Sequence, residues 1–98
     1  MALTFEWNAK KAAANLRKHK VSFEEARSIF GDRYELMLSD PDHSAEEQRS
    51  ISIGESETGR LLLVVYVERS DVIRLISSRE AEKREAAQYR QRRGDRNA

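Results

Sequence analysis

The stretch RLLLVVYVERSDVIRLISSRE, residues 60–80, decides the fold. Its first part, LLLVVYV at 61–67, is apolar at consecutive positions, so both faces of that strand need cover and it belongs in the centre of a sheet. Ser70-Asp71 supplies a turn, and VIRLI at 72–76 returns as an antiparallel partner. With a two-residue loop, Arg69 pairs with Val72 and Val67 with Arg74. Arg74 is therefore a permanent cation between Ile73 and Leu75, where a strand ordinarily carries an apolar or neutral residue.

Upstream, SISIG at 50–54 and YELML at 34–38 continue the strand period. They are separated by an acidic loop containing Pro41, and Glu-Thr-Gly at 57–59 marks the next turn. A four-residue loop, 56–59, pairs Glu55 with Arg60 and Ile51 with Val64. Alternation then sorts the side chains. Ile51, Ile53, Leu62, Val64, Tyr66, Ile73 and Leu75 form an apolar face able to receive helices. Ser50, Ser52, Leu63, Val65, Val67, Arg69, Arg74, Ile76 and Ser78 form the other, apolar ground carrying hydroxyls and two arginines.

Towards the start, LTFEW at 3–7 reads as a short strand. Asn8 offers an N-cap to a helix whose apolar stripe is Ala9, Ala12, Ala13 and Leu16 and whose other face is basic. Ser22 and Glu25 form a capping box opening a second helix through Phe30, with Phe23, Ala26, Ile29 and Phe30 buried and Gly31 ending it. A last helix runs from Glu80 to about Arg93 with a thin apolar content of Ala81, Ala86, Ala87 and Tyr89, which implies weak docking or a partner. Ser77 and Glu80 have the spacing of its capping box. Residues 94–98 read as a frayed tail. The order is β-α-α-β-β-β-β-α, an α+β domain with two N-terminal helices on one face of an antiparallel sheet and a C-terminal helix.

A chain of 98 residues suits a single domain, 1–98, with one modest core. Its 39% apolar content is enough for a globule, and its 36% charged residues nearly cancel to +1. Charge is segregated: residues 1–23 set one acid against five bases, residues 24–49 set eight acids against three bases, and the last twenty are again basic. The absence of cysteine removes disulfide and thiolate chemistry and fits a reducing compartment. With no apolar run of membrane-spanning length and no signal-peptide pattern at the start, the expected location is the cytoplasm, away from membranes.

Two guanidiniums one diagonal apart on a partly covered face repel unless an anion lies between them, and these three strands supply no acid there. A phosphate satisfies both forks. The competing structural reading has Arg74 reaching to an edge or pairing with Glu80, Glu82 or Glu85 of the terminal helix.

In order and spacing, FEWNAKKAAANLRKHKVSFEEA, PDHSAEEQR and RLLLVVYVERSDVIRLISSREAEKREAAQY resemble the BrnT toxins of bacterial type II toxin-antitoxin systems, over roughly residues 5–89. The resemblance implies a RelE-like fold and a metal-independent ribonuclease without cofactors. It also implies inhibition by a small antitoxin with a ribbon-helix-helix half, in a heterotetramer that reaches operator DNA only through the antitoxin. Two positions depart from the family pattern. Lys20 stands where Gly is usual, a strained position for a side chain, and Asn8 replaces the common Asp, retaining an N-cap.

Attack by a 2′-hydroxyl on the adjacent phosphorus needs a base, cations for the phosphorane and an acid for the leaving oxygen. Arg74, Arg69 and Arg79 are the phosphate-stabilising candidates, with Arg79 at the strand-to-helix joint able instead to pair with Glu82 or Glu85. His43 is the candidate base or acid, against an idle loop histidine. His19 reads as a favourable charge at a helix end, and Glu68 as a cross-strand partner. Lys10, Lys11, Lys18, Lys20, Lys83 and Arg84 are candidates for following an RNA backbone, against a merely solvated helix face. Trp7 reads as core before it reads as a base-stacking platform. Asp40, Asp42, His43, Glu46 and Glu47 lack metal-site spacing and read as a solvated loop, so no metal is expected. The rival function is a non-catalytic module that binds RNA or antitoxin in transcriptional autoregulation.

Overall fold

A computed structural model describes residues 3–38 and 49–94 of the chain. Its elements are β1 (Thr4–Glu6), α1 (Ala9–His19), α2 (Phe23–Arg27) followed by a 3-10 turn (Ser28–Gly31), β2 (Leu36–Leu38), β3 (Arg49–Glu55), β4 (Leu61–Arg69), β5 (Val72–Glu80) and α3 (Lys83–Arg93). The five strands form one sheet in the order β1-β5-β4-β3-β2. β4, whose sequence is apolar on both faces, is its centre. β2 through β5 are antiparallel neighbours, and β1 adds to β5 in parallel, so the sheet is mixed. None of the helices among the described residues is long and apolar enough to cross a membrane.

The β4–β5 register is the expected one, with Arg69 opposite Val72 and Val67 opposite Arg74. The β3–β4 register differs by one residue. Glu55 pairs with Leu61 and Ile51 with Val65, because the connecting loop spans 56–60. Ser56 closes that loop: its N–H donates to Arg60 O at 2.8 Å and its C=O accepts from Gly59 N–H at 2.9 Å, with Gly59 at φ 87°. A one-residue slip turns every side chain of a strand to the other face. Ile51 and Ile53 therefore join Leu63 and Val65, whereas Ser52 joins Val64 and Tyr66.

Two cores result. α1, α2 and the 3-10 turn cover one face, where Val21, Phe23, Ala26, Ile29, Leu62, Val64, Tyr66, Ile73 and Leu75 are buried. Trp7 packs edge-on against Phe23, with centroids 5.9 Å apart, and lies half-buried against this core. On the other face Ile53, Leu63 and Tyr89 are buried, so α3 is anchored through its single large apolar side chain. Its N-cap is Glu82, boxed with Glu85, and Ser77 lies within β5.

The first helix docks differently from expectation. Leu16 is 49% exposed, and the residue buried at its centre is Asn15. Asn15 Nδ2 donates to Val21 O at 3.0 Å and to Ser78 O at 2.9 Å, and Oδ1 accepts from Ser78 N–H at 3.0 Å. An amide can satisfy strand backbone that β1, ending at Glu6, is too short to reach, and no leucine can do so. Both predicted N-caps are present: Asn8 Oδ1 accepts from Lys11 N–H and Ser22 Oγ from Glu25 N–H, each at 3.0 Å. The second helix, expected to run through Phe30, tightens to 3-10 geometry after Arg27.

Candidate functional site

The sheet face opposite α1 and α2 carries the arginines singled out as the candidate site. Pairing registers align Arg49 of β3, Val67 of β4, Arg74 of β5 and Glu6 of β1 in one row across four strands. Arg69 lies one diagonal from Arg74 on the same face, as the hairpin turn requires. Ser70 holds that turn in the left-handed region, φ 54°. Arg49 and Arg74 thus flank the nearly buried Val67 from two sides, with their strands about 10 Å apart.

Arg49 was not among the residues singled out from the sequence. The four-residue loop assumed for 56–59 placed Ser50 and Ser52 on this face; the true register removes the hydroxyls and brings Arg49 in. Among the described residues no ion pair or hydrogen bond engages the Arg49 side chain. Arg74 is different. Its Nη1 lies 3.0 Å from Glu6 Oε2, with the side chains 45% and 52% exposed. The three antiparallel strands indeed offer no acid to Arg74; the parallel edge strand does.

β1 is seated from both sides. Thr4 N–H donates to Asp71 O at 3.0 Å, and Phe5 faces the helices, its ring 5.4 Å from Phe30. These contacts fix Glu6 on the arginine side. A guanidinium has five N–H donors, so one bond to a carboxylate leaves Arg74 able to receive phosphate oxygens.

Arg79 does not join this group. It pairs with Leu63, five residues along β5 from Arg74 and roughly 16 Å away at strand spacing. There it holds Glu85 bidentately, Nη1–Oε1 and Nη2–Oε2 both 2.9 Å, and also donates to Glu80 O. The Glu85 carboxylate raises the pKa of Arg79, and the Arg79 fork in turn lowers that of Glu85. This is the structural pairing weighed for Arg79, and it fastens α3 to β5. A bulge between Val65 and Tyr66 opposite Ile76 explains the placement, because it shifts the alternation and sends Ser78 to the helix face and Arg79 to the opposite one.

The remaining candidates lie apart. Lys10, Lys11, Lys18 and Lys20 are exposed on or just beyond α1, on the far side of the sheet from the arginines. Lys83 and Arg84 are exposed in the first turn of α3, beyond Arg79. His43, with Asp40, Asp42, Glu46 and Glu47, lies outside the described residues. Glu68 is exposed and points to the helix face, away from Arg74. There a second polar group gathers: Tyr66 Oη is 2.8 Å from Ser52 Oγ, and Glu35 lies beside them. Burial raises the pKa of both Glu35 and Tyr66.

Comparison with known proteins fits this architecture. The crystal structure of the Brucella abortus ribonuclease toxin BrnT superposes with a TM-score of 0.64 at 19% identity, over 84% of this chain and 100% of that one, a likeness of fold. No curated protein sequence matches. The sequence profile described as the ribonuclease toxin BrnT of type II toxin-antitoxin systems matches residues 7–85. By that match over most of its length, the chain belongs to the BrnT family of type II toxin-antitoxin toxins.

Proposed function

We propose that this toxin is a metal-independent RNA endonuclease acting in the cytoplasm, and that its arginine row binds the scissile phosphate. The observation that carries the reading is the convergence of Arg49, Arg69 and Arg74 around Val67 on the sheet face that α1 and α2 leave free. Guanidiniums so placed can hold the two non-bridging oxygens and gain strength as charge builds on the phosphorane. Arg79 then serves the scaffold, and Lys83 and Arg84 extend the basic surface along which RNA could continue. Neutralisation falls to a cognate antitoxin with a ribbon-helix-helix half in a heterotetramer, and operator DNA is reached only through it.

The test is cleavage of RNA by the purified chain in EDTA. We expect products from the unaltered protein and a drop of about 10²-fold or more in rate for Arg74→Ala. Loss of cleavage in EDTA would instead place a metal at the acidic loop, and RNA binding without any product would favour the non-catalytic module.

A further inference from the structure

Glu6 is the one carboxylate that the described strands present beside the arginine row, and the fold goes to some length to put it there. β1 contributes only three residues to the sheet, in parallel, yet its backbone is tied to Asp71 and its Phe5 is packed against Phe30. The ion pair that results is about half exposed, a type that contributes little to stability. A solvent-exposed carboxylate held at 3.0 Å from a guanidinium is placed where it can accept a proton from a hydroxyl beside the phosphate that the same guanidinium holds. Because Arg74 can hold the carboxylate with one N–H and a phosphate oxygen with another, it would set the two side by side.

We propose that Glu6 is the general base of the site, taking the proton of the attacking 2′-hydroxyl while Arg74, Arg69 and Arg49 hold the phosphate. The proposal rests on the RNA-cleavage reading above. It concerns a residue just outside the span matched by the family profile. In the step, the 2′-O–H bond breaks towards Glu6, the 2′-oxygen bonds phosphorus, and the P–O5′ bond breaks. The departing 5′-oxygen takes a proton from water. The products are a 2′,3′-cyclic phosphate and a 5′-hydroxyl, and Glu6 returns its proton to solvent.

The experiment uses the full chain, a short RNA in EDTA, and the same RNA 2′-O-methylated as a non-cleavable binding probe. Glu6→Gln should lower kcat by about 10²- to 10³-fold, leave probe affinity within a few-fold, and abolish the acid limb of the pH–rate profile. Glu6→Asp should restore part of the rate. A mere counter-ion gives the opposite result: Glu6→Gln would free Arg74, tighten probe binding and leave kcat equal or higher, which overturns the proposal. If Glu6→Gln fails to fold, the unaltered protein still decides, because a rate with no acid limb is incompatible with a carboxylate base. Cyclic-phosphate ends with undiminished Glu6→Gln activity sink Glu6 alone. No cyclic ends from the unaltered protein sink the cleavage reading itself and Glu6 with it.

Discussion

Asn15 and Ser78 form a reciprocal pair, the amide of one accepting from and donating to the backbone of the other at 3.0 and 2.9 Å. It is the polar joint between the first helix and the last strand. Asn15→Leu keeps most of the volume and strands three backbone groups, each worth about 1 to 3 kcal/mol when buried without a partner. We expect a loss of roughly 3 kcal/mol or more in urea unfolding. Ser78→Ala should behave differently, because the buried Ser78 hydroxyl has no hydrogen-bond partner among the described residues and only its backbone is used. That variant should be neutral or gain up to about 1 kcal/mol.

Acid lability should centre on Glu25. Hydrogen bonds from Arg60, with help from Thr58 and Ser56, lower its pKa from 4.5 to about 2 against the opposing effect of burial. A depressed carboxylate stabilises the fold above its unfolded pKa and loses that contribution as pH falls from about 5 towards 2, here about 3 kcal/mol. Thermal melts at pH 7 and pH 3 should differ widely for the unaltered chain and much less for Glu25→Gln. The variant should also be less stable at pH 7 by roughly 3 kcal/mol, since Arg60 keeps its burial and loses its main partner.

Glu35 should respond with the opposite sign. Burial raises its pKa, so its ionisation on going to neutral pH works against the fold, and stability from this residue is greatest at low pH. Glu35→Gln is expected to raise the melting temperature at pH 7 while leaving it nearly unchanged at pH 4. A lower melting temperature at pH 7 would contradict the assignment.

Lys20 caps α1 in the left-handed region, φ 60° and ψ 32°, with its N–H on Leu16 O. A β-carbon there is strained by about 1 kcal/mol relative to glycine. Lys20→Gly should therefore stabilise the chain by up to that amount in equilibrium unfolding. Arg60, which donates to the Lys20 carbonyl at 3.0 Å, keeps its acceptor.

The arginines should separate by readout. Arg49→Ala is expected to weaken RNA binding and flatten its salt dependence while hardly moving the melting temperature. Arg79→Ala should do the reverse, lowering stability by about 1 to 3 kcal/mol through the orphaned Glu85 and leaving the affinity of the Arg74 site near its original value.

Local signals carried much of this structure. Asn8 and Ser22 cap helices because their oxygens can reach an N–H three residues on, and Ser70-Asp71 can only turn, so Arg69 and Arg74 fall on one face. What the residues hid depends on longer reach. One extra residue in the 56–60 loop reversed β3 and exchanged Ser50 and Ser52 for Arg49. The bulge opposite Ile76 moved Ser78 and Arg79 across the sheet. Glu6 meets Arg74 only because β1 pairs in parallel with a strand 68 residues away, and no local periodicity reports that.

That distant pairing also sets a time order for the nascent chain. β1 has nowhere to seat until β5 has followed it out of the ribosome, and Asn15 waits for Ser78 across 63 residues. Synthesis interrupted anywhere before residue 72 yields a fragment in which Glu6 and Arg74 never meet, so the arginine row is complete only in copies whose synthesis has passed β5.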